Sequence, residues 1–146
     1  MAGTRCVRRI NGNYARNLDV NEVYNPRNDR WQRLSPLPTA RSGIAAAALQ
    51  GRIFVVGGEA PSGTFHHVEA YEPKSDRWTS YARMPTPRHG LGTAVHAGRI
   101  YVISGGPTPG ASYSSANEIF TPQGKPRQPT QLREPGWLQR QLQDGD

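Results

Sequence analysis

Two four-residue apolar runs, Ile53-Phe54-Val55-Val56 and Ile100-Tyr101-Val102-Ile103, stand out from a chain that is otherwise polar and broken by turns. Each follows a Gly-Arg pair and leads into paired glycines, Gly57-Gly58 and Gly105-Gly106, the second pair with Ser104 inserted before it. Runs this short cannot make a stable helix, and their β-branched composition predicts strands buried on both faces, over 52–56 and 99–103. Three more strands are expected around the first run. Gly43–Leu49 is small and apolar, suited to a crowded position; His67–Glu72 carries Tyr71; Arg77–Ser80 is centred on Trp78. Gln50-Gly51 reads as the two-residue link of a hairpin. Pro73-Lys74-Ser75-Asp76 reads as a type I-like turn, with proline presetting φ and the aspartate able to bond nearby backbone. The stretch 57–66 has no periodicity and reads as a loop.

The same pattern returns 47 residues on. Glu22-Val23-Tyr24-Asn25-Pro26 and Asp29-Arg30-Trp31 match Glu69-Ala70-Tyr71-Glu72-Pro73 and Asp76-Arg77-Trp78; Pro38-Thr39-Ala40-Arg41-Ser42-Gly43 matches Pro85-Thr86-Pro87-Arg88-His89-Gly90. Of the 35 positions from Glu22 to Val56, fifteen are identical to their partners. A third copy starts at Asn117-Glu118-Ile119-Phe120-Thr121-Pro122 and breaks off, because no tryptophan follows at the expected distance. Four antiparallel strands repeated at a fixed period describe a propeller blade. The fold class is therefore all-β, with four-stranded antiparallel blades in an incomplete propeller.

The glycine pair after the second strand, the Tyr-x-Pro on the third and the tryptophan on the fourth closely resemble the kelch-repeat, galactose-oxidase-like propeller family. WD40 repeats are the competing reading, but their Gly-His and Trp-Asp signatures are missing. The resemblance covers residues 18–122: a partial blade over 18–34, a full blade over 43–81 and a partial blade over 90–120. Residues 1–17 read as a basic N-terminal tail, and 123–146, rich in Gln, Pro and Arg, as a disordered C-terminal tail. A closed propeller needs at least four blades. The flanks are accordingly expected to be covered by blades from a longer chain or by self-association.

Charge alters this picture little. The chain of 146 residues has a net charge of +7, but Arg5, Arg8, Arg9 and Arg16 account for four of it within the first sixteen residues, where there is no acid. The repeats themselves are nearly balanced, so nucleic acid is not an expected partner. No apolar stretch approaches a membrane span, and none follows the N-terminal arginines as a signal peptide would require, so no membrane association is expected and the compartment stays unassigned. The single cysteine, Cys6, excludes an internal disulfide. Metal-ligand spacings are missing, and no cofactor is expected.

Candidate chemistry lies on the loops. Because each antiparallel strand reverses direction, the segments 35–42 and 82–89 must share one side of the disc with 57–66 and 104–115. Arg41 and Arg88 stand at equivalent positions before the first strands. They could grip a carboxylate or phosphate, or bond backbone carbonyls between blades. Ser42, His89, Glu59 and Tyr113 complete the candidate ligand-binding set. No nucleophile–base pair or catalytic carboxylate pair is legible, so no catalytic residue is assigned. The kelch resemblance implies a face that binds a protein or peptide, or a small ligand such as a carbohydrate. It also leaves open a bacterial enzyme of the mutarotase or epimerase kind acting on an acidic sugar through Arg41, Arg88, His89 and Glu59, or an inactive fragment. The copper-oxidase members rely on a cysteine cross-linked to tyrosine, and Cys6 lies outside the repeats.

Overall fold

The computed structural model describes residues 17–122, together with the backbone of three short strands before them. In chain order the strands are β1 (Ala2–Thr4), β2 (Arg9–Ile10), β3 (Asn13–Tyr14), β4 (Asn21–Asn25), β5 (Arg30–Leu34), β6 (Ala45–Leu49) and β7 (Arg52–Val56). There follow β8 (Glu59–Ala60), β9 (Gly63–Thr64), β10 (Val68–Glu72), β11 (Arg77–Ser80), β12 (Gly92–His96), β13 (Arg99–Ile103) and β14 (Asn117–Phe120). The described residues contain no helix. All pairings are antiparallel, and the complete sheet runs β6-β7-β10-β11, one blade with its strands in sequence order. On one side lies the sheet β1-β4-β5, on the other β12-β13-β14.

Local chemistry explains the boundaries. Gln50 and Gly51 both have positive φ, +53° and +75°, as do Ala97 and Gly98, +48° and +73°, which is the geometry of a two-residue link matched to strand twist. At the same end of the blade, between β10 and β11, Asp76 adopts φ +52° after the proline turn, and Asp29 repeats it at +53°. That conformation suits an aspartate, whose short carboxylate then bonds locally: Tyr71 Oη donates to Asp76 Oδ1 at 2.7 Å and Tyr24 Oη to Asp29 Oδ1 at 2.7 Å.

Three details depart from the sequence reading. Ser104 is not an insertion. The Arg88 guanidinium donates to the Ser104 carbonyl as the Arg41 guanidinium does to Gly57, and His89 bridges Gly106 as Ser42 bridges Glu59. Ser104 therefore replaces Gly57, and Gly106 stands where Glu59 does; the extra length falls later, in the loop before β14. The stretch 57–66 is more ordered than a plain loop, since Glu59–Ala60 and Gly63–Thr64 form a small hairpin. Finally, Ala2–Thr4, expected in a tail, pairs with β4 in the position that β7 holds beside β10. The expected C-terminal tail, 123–146, lies outside the described residues.

The core sits between the second and third sheets. Phe54, Val56, Val68 and Ala70 of the complete blade pack with Met84, Leu91, Ile100 and Val102. Phe54, Tyr81 and Phe120 form an aromatic triangle with centroids 5.3 to 5.8 Å apart. Phe54, Val55 and Val56 of β7 are buried because both faces of the strand are covered, whereas β13, expected to be buried on both faces, buries only Ile100 and Val102: Ile103 is 44% exposed, since no described sheet covers that second face.

Candidate functional site

The four loops expected on one side do come together. Ser42 and Glu59 exchange backbone hydrogen bonds, His89 and Gly106 do the same, and Thr64 Oγ1 donates to the Pro107 carbonyl at 2.8 Å. Two structures fill this face: a pair of arginine knots below and a histidine–glutamate network above.

Arg41 and Arg88 are both 0% exposed and turn inward. Arg41 donates from Nε to the Gly57 carbonyl at 2.7 Å, from Nη1 to the Thr39 carbonyl at 2.8 Å and to Glu69 Oε2 at 2.5 Å, and from Nη2 to the Val55 carbonyl at 3.3 Å. Arg88 repeats the set against Ser104, Thr86 and Val102, adds the Ala116 carbonyl, and pairs with Glu118 Oε2 at 3.0 Å. These bonds close the end of the third strand onto the turn behind the second. Of the two roles open to these residues, the geometry shows carbonyl bonding, but within one blade rather than between blades; neither guanidinium is left facing a ligand. The reason is desolvation. Taking a guanidinium out of water is costly unless its donors are matched, and Glu69, 2% exposed, is equally in need of a partner.

Above the knots, Ser42, Glu59 and His89 are all buried. His89 Nδ1 lies 3.5 Å from Glu59 Oε1, its Nε2 lies 3.0 Å from the Thr108 carbonyl, and Glu59 Oε2 accepts from the Gly110 N–H at 2.9 Å. Asn17 Nδ2 donates to the Glu59 carbonyl at 3.0 Å. Gly106 makes room for the ring: a Cβ there would meet His89 Nε2 at 2.7 Å and Ser112 Oγ at 2.1 Å. Ser112 Oγ stands 3.5 Å from His89 Nε2, which with Glu59 places serine, histidine and glutamate in a line. The line is not a catalytic triad. Ser112 Oγ donates to the Thr108 carbonyl at 2.5 Å, and the imidazole Nε2 faces that same carbonyl, which can only accept. A nitrogen held as a donor cannot take the serine proton.

The network instead anchors the loop between β13 and β14. Ser104 Oγ donates to the Ser114 carbonyl at 2.9 Å and Ser114 Oγ to the Gly105 carbonyl at 2.8 Å, while Ser112 is held by Thr108. Tyr113 lies between these two anchored serines and is 91% exposed. Pro107 and Pro109 on its own loop, and Pro61 on the loop 57–66, are exposed as well. A cavity beside Ser42, Glu59 and Pro109 measures about 10 Å³, room for no more than a water. Among the described residues no group of His, Cys, Asp or Glu is arranged to hold a metal ion.

Of the sequence candidates, then, Ser42, Glu59 and His89 share one network, Tyr113 is displayed above it, and Arg41 and Arg88 lie beneath. Thr108 and Gly110 belong to the loop already expected to line this face; Ser112 was not anticipated, and a loop without a partner motif gives no signal for it. Glu69 and Glu118 did carry one, since a glutamate recurs at that place on the third strand of every copy, Glu22 included.

A family model of the kelch motif matches residues 40–85. Those residues are a kelch repeat. The matched span runs from the turn carrying Arg41 through all four strands to the turn before Arg88. Among solved structures the chain is similar to YjhT, a kelch-type propeller protein, at 26% identity and a TM-score of 0.52. That match covers 59% of this chain and 27% of YjhT, so the chain spans only a part of the length of the propeller it resembles. Among the described residues three antiparallel sheets stand side by side without closing a ring, as in an incomplete kelch propeller.

Proposed function

We propose that this kelch segment is a recognition module that binds a protein or peptide through its loop face. Tyr113 carries the reading: a large ring almost wholly in solvent, on a loop whose residues on either side are held by side-chain hydrogen bonds. Binding usually has to order the groups that make contact, and a ring whose loop is already fixed avoids much of that penalty. Tyrosine is also enriched among residues that dominate binding energy, having an apolar body and a hydroxyl. Exposed Pro61, Pro107 and Pro109, on loops of the same face, add stiff apolar surface. The acidic-sugar alternative relied on the cations of Arg41 and Arg88, and both are committed to carbonyls and glutamates.

Selection of a random peptide library on the immobilised chain tests this. Enriched peptides should lose about 2 kcal/mol, roughly thirtyfold in affinity, on Tyr113→Ala, with the melting temperature unchanged. Peptides indifferent to that substitution, or stabilisation by acidic sugars without any peptide binder, would overturn the reading.

A further inference from the structure

A second surface, away from the loop face, lies at the edge of the third sheet. β14 pairs with β13 along one side and with no described strand along the other. Beside its open edge is a cavity of about 540 Å³ between β14 and the segment that leaves β11. Tyr81, Ala82 and Met84 line one wall, and Ile119, Phe120 and Thr121 the other.

The preceding repeat shows what fills such a place. There the third strand, β10, is covered by β11, which also reaches across to the sheet before it. Trp78 Nε1 donates to the Ser35 carbonyl at 2.8 Å, and Asp76 Oδ1 accepts from the Ser35 N–H at 2.8 Å. The Trp78 ring lies 5.2 Å from that of Tyr71. Ala82 stands 47 residues after Ser35 and Phe120 takes the place of Tyr71. Among the described residues, neither the N–H nor the carbonyl of Ala82 has a hydrogen-bond partner. The acceptor, the donor, the strand edge and the aromatic floor are all present.

We propose that this groove takes up an extended segment of another polypeptide carrying a tryptophan two residues after an aspartate, the pattern of Asp76-Arg77-Trp78. The segment pairs with β14 as a fourth strand, which satisfies its edge by β-augmentation. Its indole lies against Phe120 and donates to the Ala82 carbonyl; its carboxylate accepts from the Ala82 N–H. Phe120 has no hydroxyl to offer that carboxylate, unlike Tyr71 and Tyr24. The indole is therefore the dominant determinant and the acid a lesser one. The site does not depend on Tyr113 or on the loop-face reading.

The probe is a fluorescein-labelled synthetic peptide with the sequence of residues 74–81, titrated against the full chain by anisotropy. Saturable binding is expected, weakened about tenfold or more when the peptide's tryptophan is alanine. Ile119→Lys on the chain should weaken it as well without lowering the melting temperature, since Ile119 is 54% exposed. Hydrogen exchange should slow at Ile119 and Thr121, whose N–H groups face the open edge while those of Glu118 and Phe120 face β13, only when the peptide is added. Equal affinity for the alanine peptide overturns the proposal. So does protection of those amides without peptide: independent of protein concentration, it assigns the groove to residues 123–146 of the same chain; rising with concentration, to a second copy.

Discussion

Tyr71 and Asp76 show how one side-chain contact ties a blade to its neighbour. The Tyr71 hydroxyl, on a residue 1% exposed, donates to a carboxylate that also holds the Ser35 N–H of the sheet before it. Burial, aided by the bond to Asp76, raises the Tyr71 hydroxyl from its usual value near 10 to about 12. The same bond, together with the Ser35 N–H, holds the Asp76 carboxyl below its usual range. The two shifts limit stability from opposite sides. A raised tyrosine pKa means that its contribution is complete below pH about 10 and is lost as the pH climbs through about 12; the depressed aspartate contributes above about pH 4 and its share is lost on acidification. Urea midpoints measured across pH should therefore fall at both ends. Tyr71→Phe should flatten the alkaline fall and reduce, without removing, the acid one. An unchanged alkaline limb in that variant would show that the hydroxyl is not the group involved.

At the level of the strand and its turn, the exchange of Gly57 for Ser104 separates two requirements that a glycine can meet at once. Ser104 accepts φ +59° and uses its hydroxyl to hold the loop that follows. Gly57, at φ +64°, has no such room: a Cβ would meet Leu91 Cδ2 at 2.4 Å and the Arg88 carbonyl at 2.5 Å. Close approach of the next blade, not the dihedral, fixes that residue. Gly51 gives the control, because it sits at φ +75° with nothing within 4 Å of an added Cβ. Gly51→Ala should thus cost about 1 kcal/mol from the backbone alone. Gly57→Ala should cost at least about 3 kcal/mol, since overpacking adds to it. Denaturant unfolding of the two variants makes the comparison, and similar losses would mean that the neighbouring blade yields readily.

Across the whole molecule, burial depends on which blade has a neighbour. Trp31 and Trp78 occupy the same place in successive repeats, and each stacks on its tyrosine, at 5.1 and 5.2 Å. Trp78 is half-buried because the first sheet lies beside it and its indole reaches Ser35, whereas Trp31 is 62% exposed. Trp78→Ala should therefore destabilise the dilute chain by about 2 to 3 kcal/mol, and Trp31→Ala by about 1 kcal/mol or less. Urea melts of both give the comparison. An equal loss would mean that Trp31 is covered in solution.

The blades follow from the sequence alone: the fixed shift of 47 residues, the short apolar runs, the Gln50-Gly51 link and the aromatic pairs are local or periodic signals, and strand, turn and repeat follow from them. It also brought Ser42, Glu59, His89 and Tyr113 to one face, because strand direction alone dictates which loops are neighbours. Which way the arginines turn is settled by contacts made in the folded chain. Arg41 and Arg88 look like ligand-facing cations until Glu69 and Glu118, some thirty residues away, are seen to meet them inside the blade. The same holds for Ser104 in the place of Gly57, for β1 beside β4, and for the open edge of β14. Each is settled by a hydrogen bond, or by the lack of one among the described residues, between segments far apart in the chain, and a one-dimensional pattern does not specify such contacts.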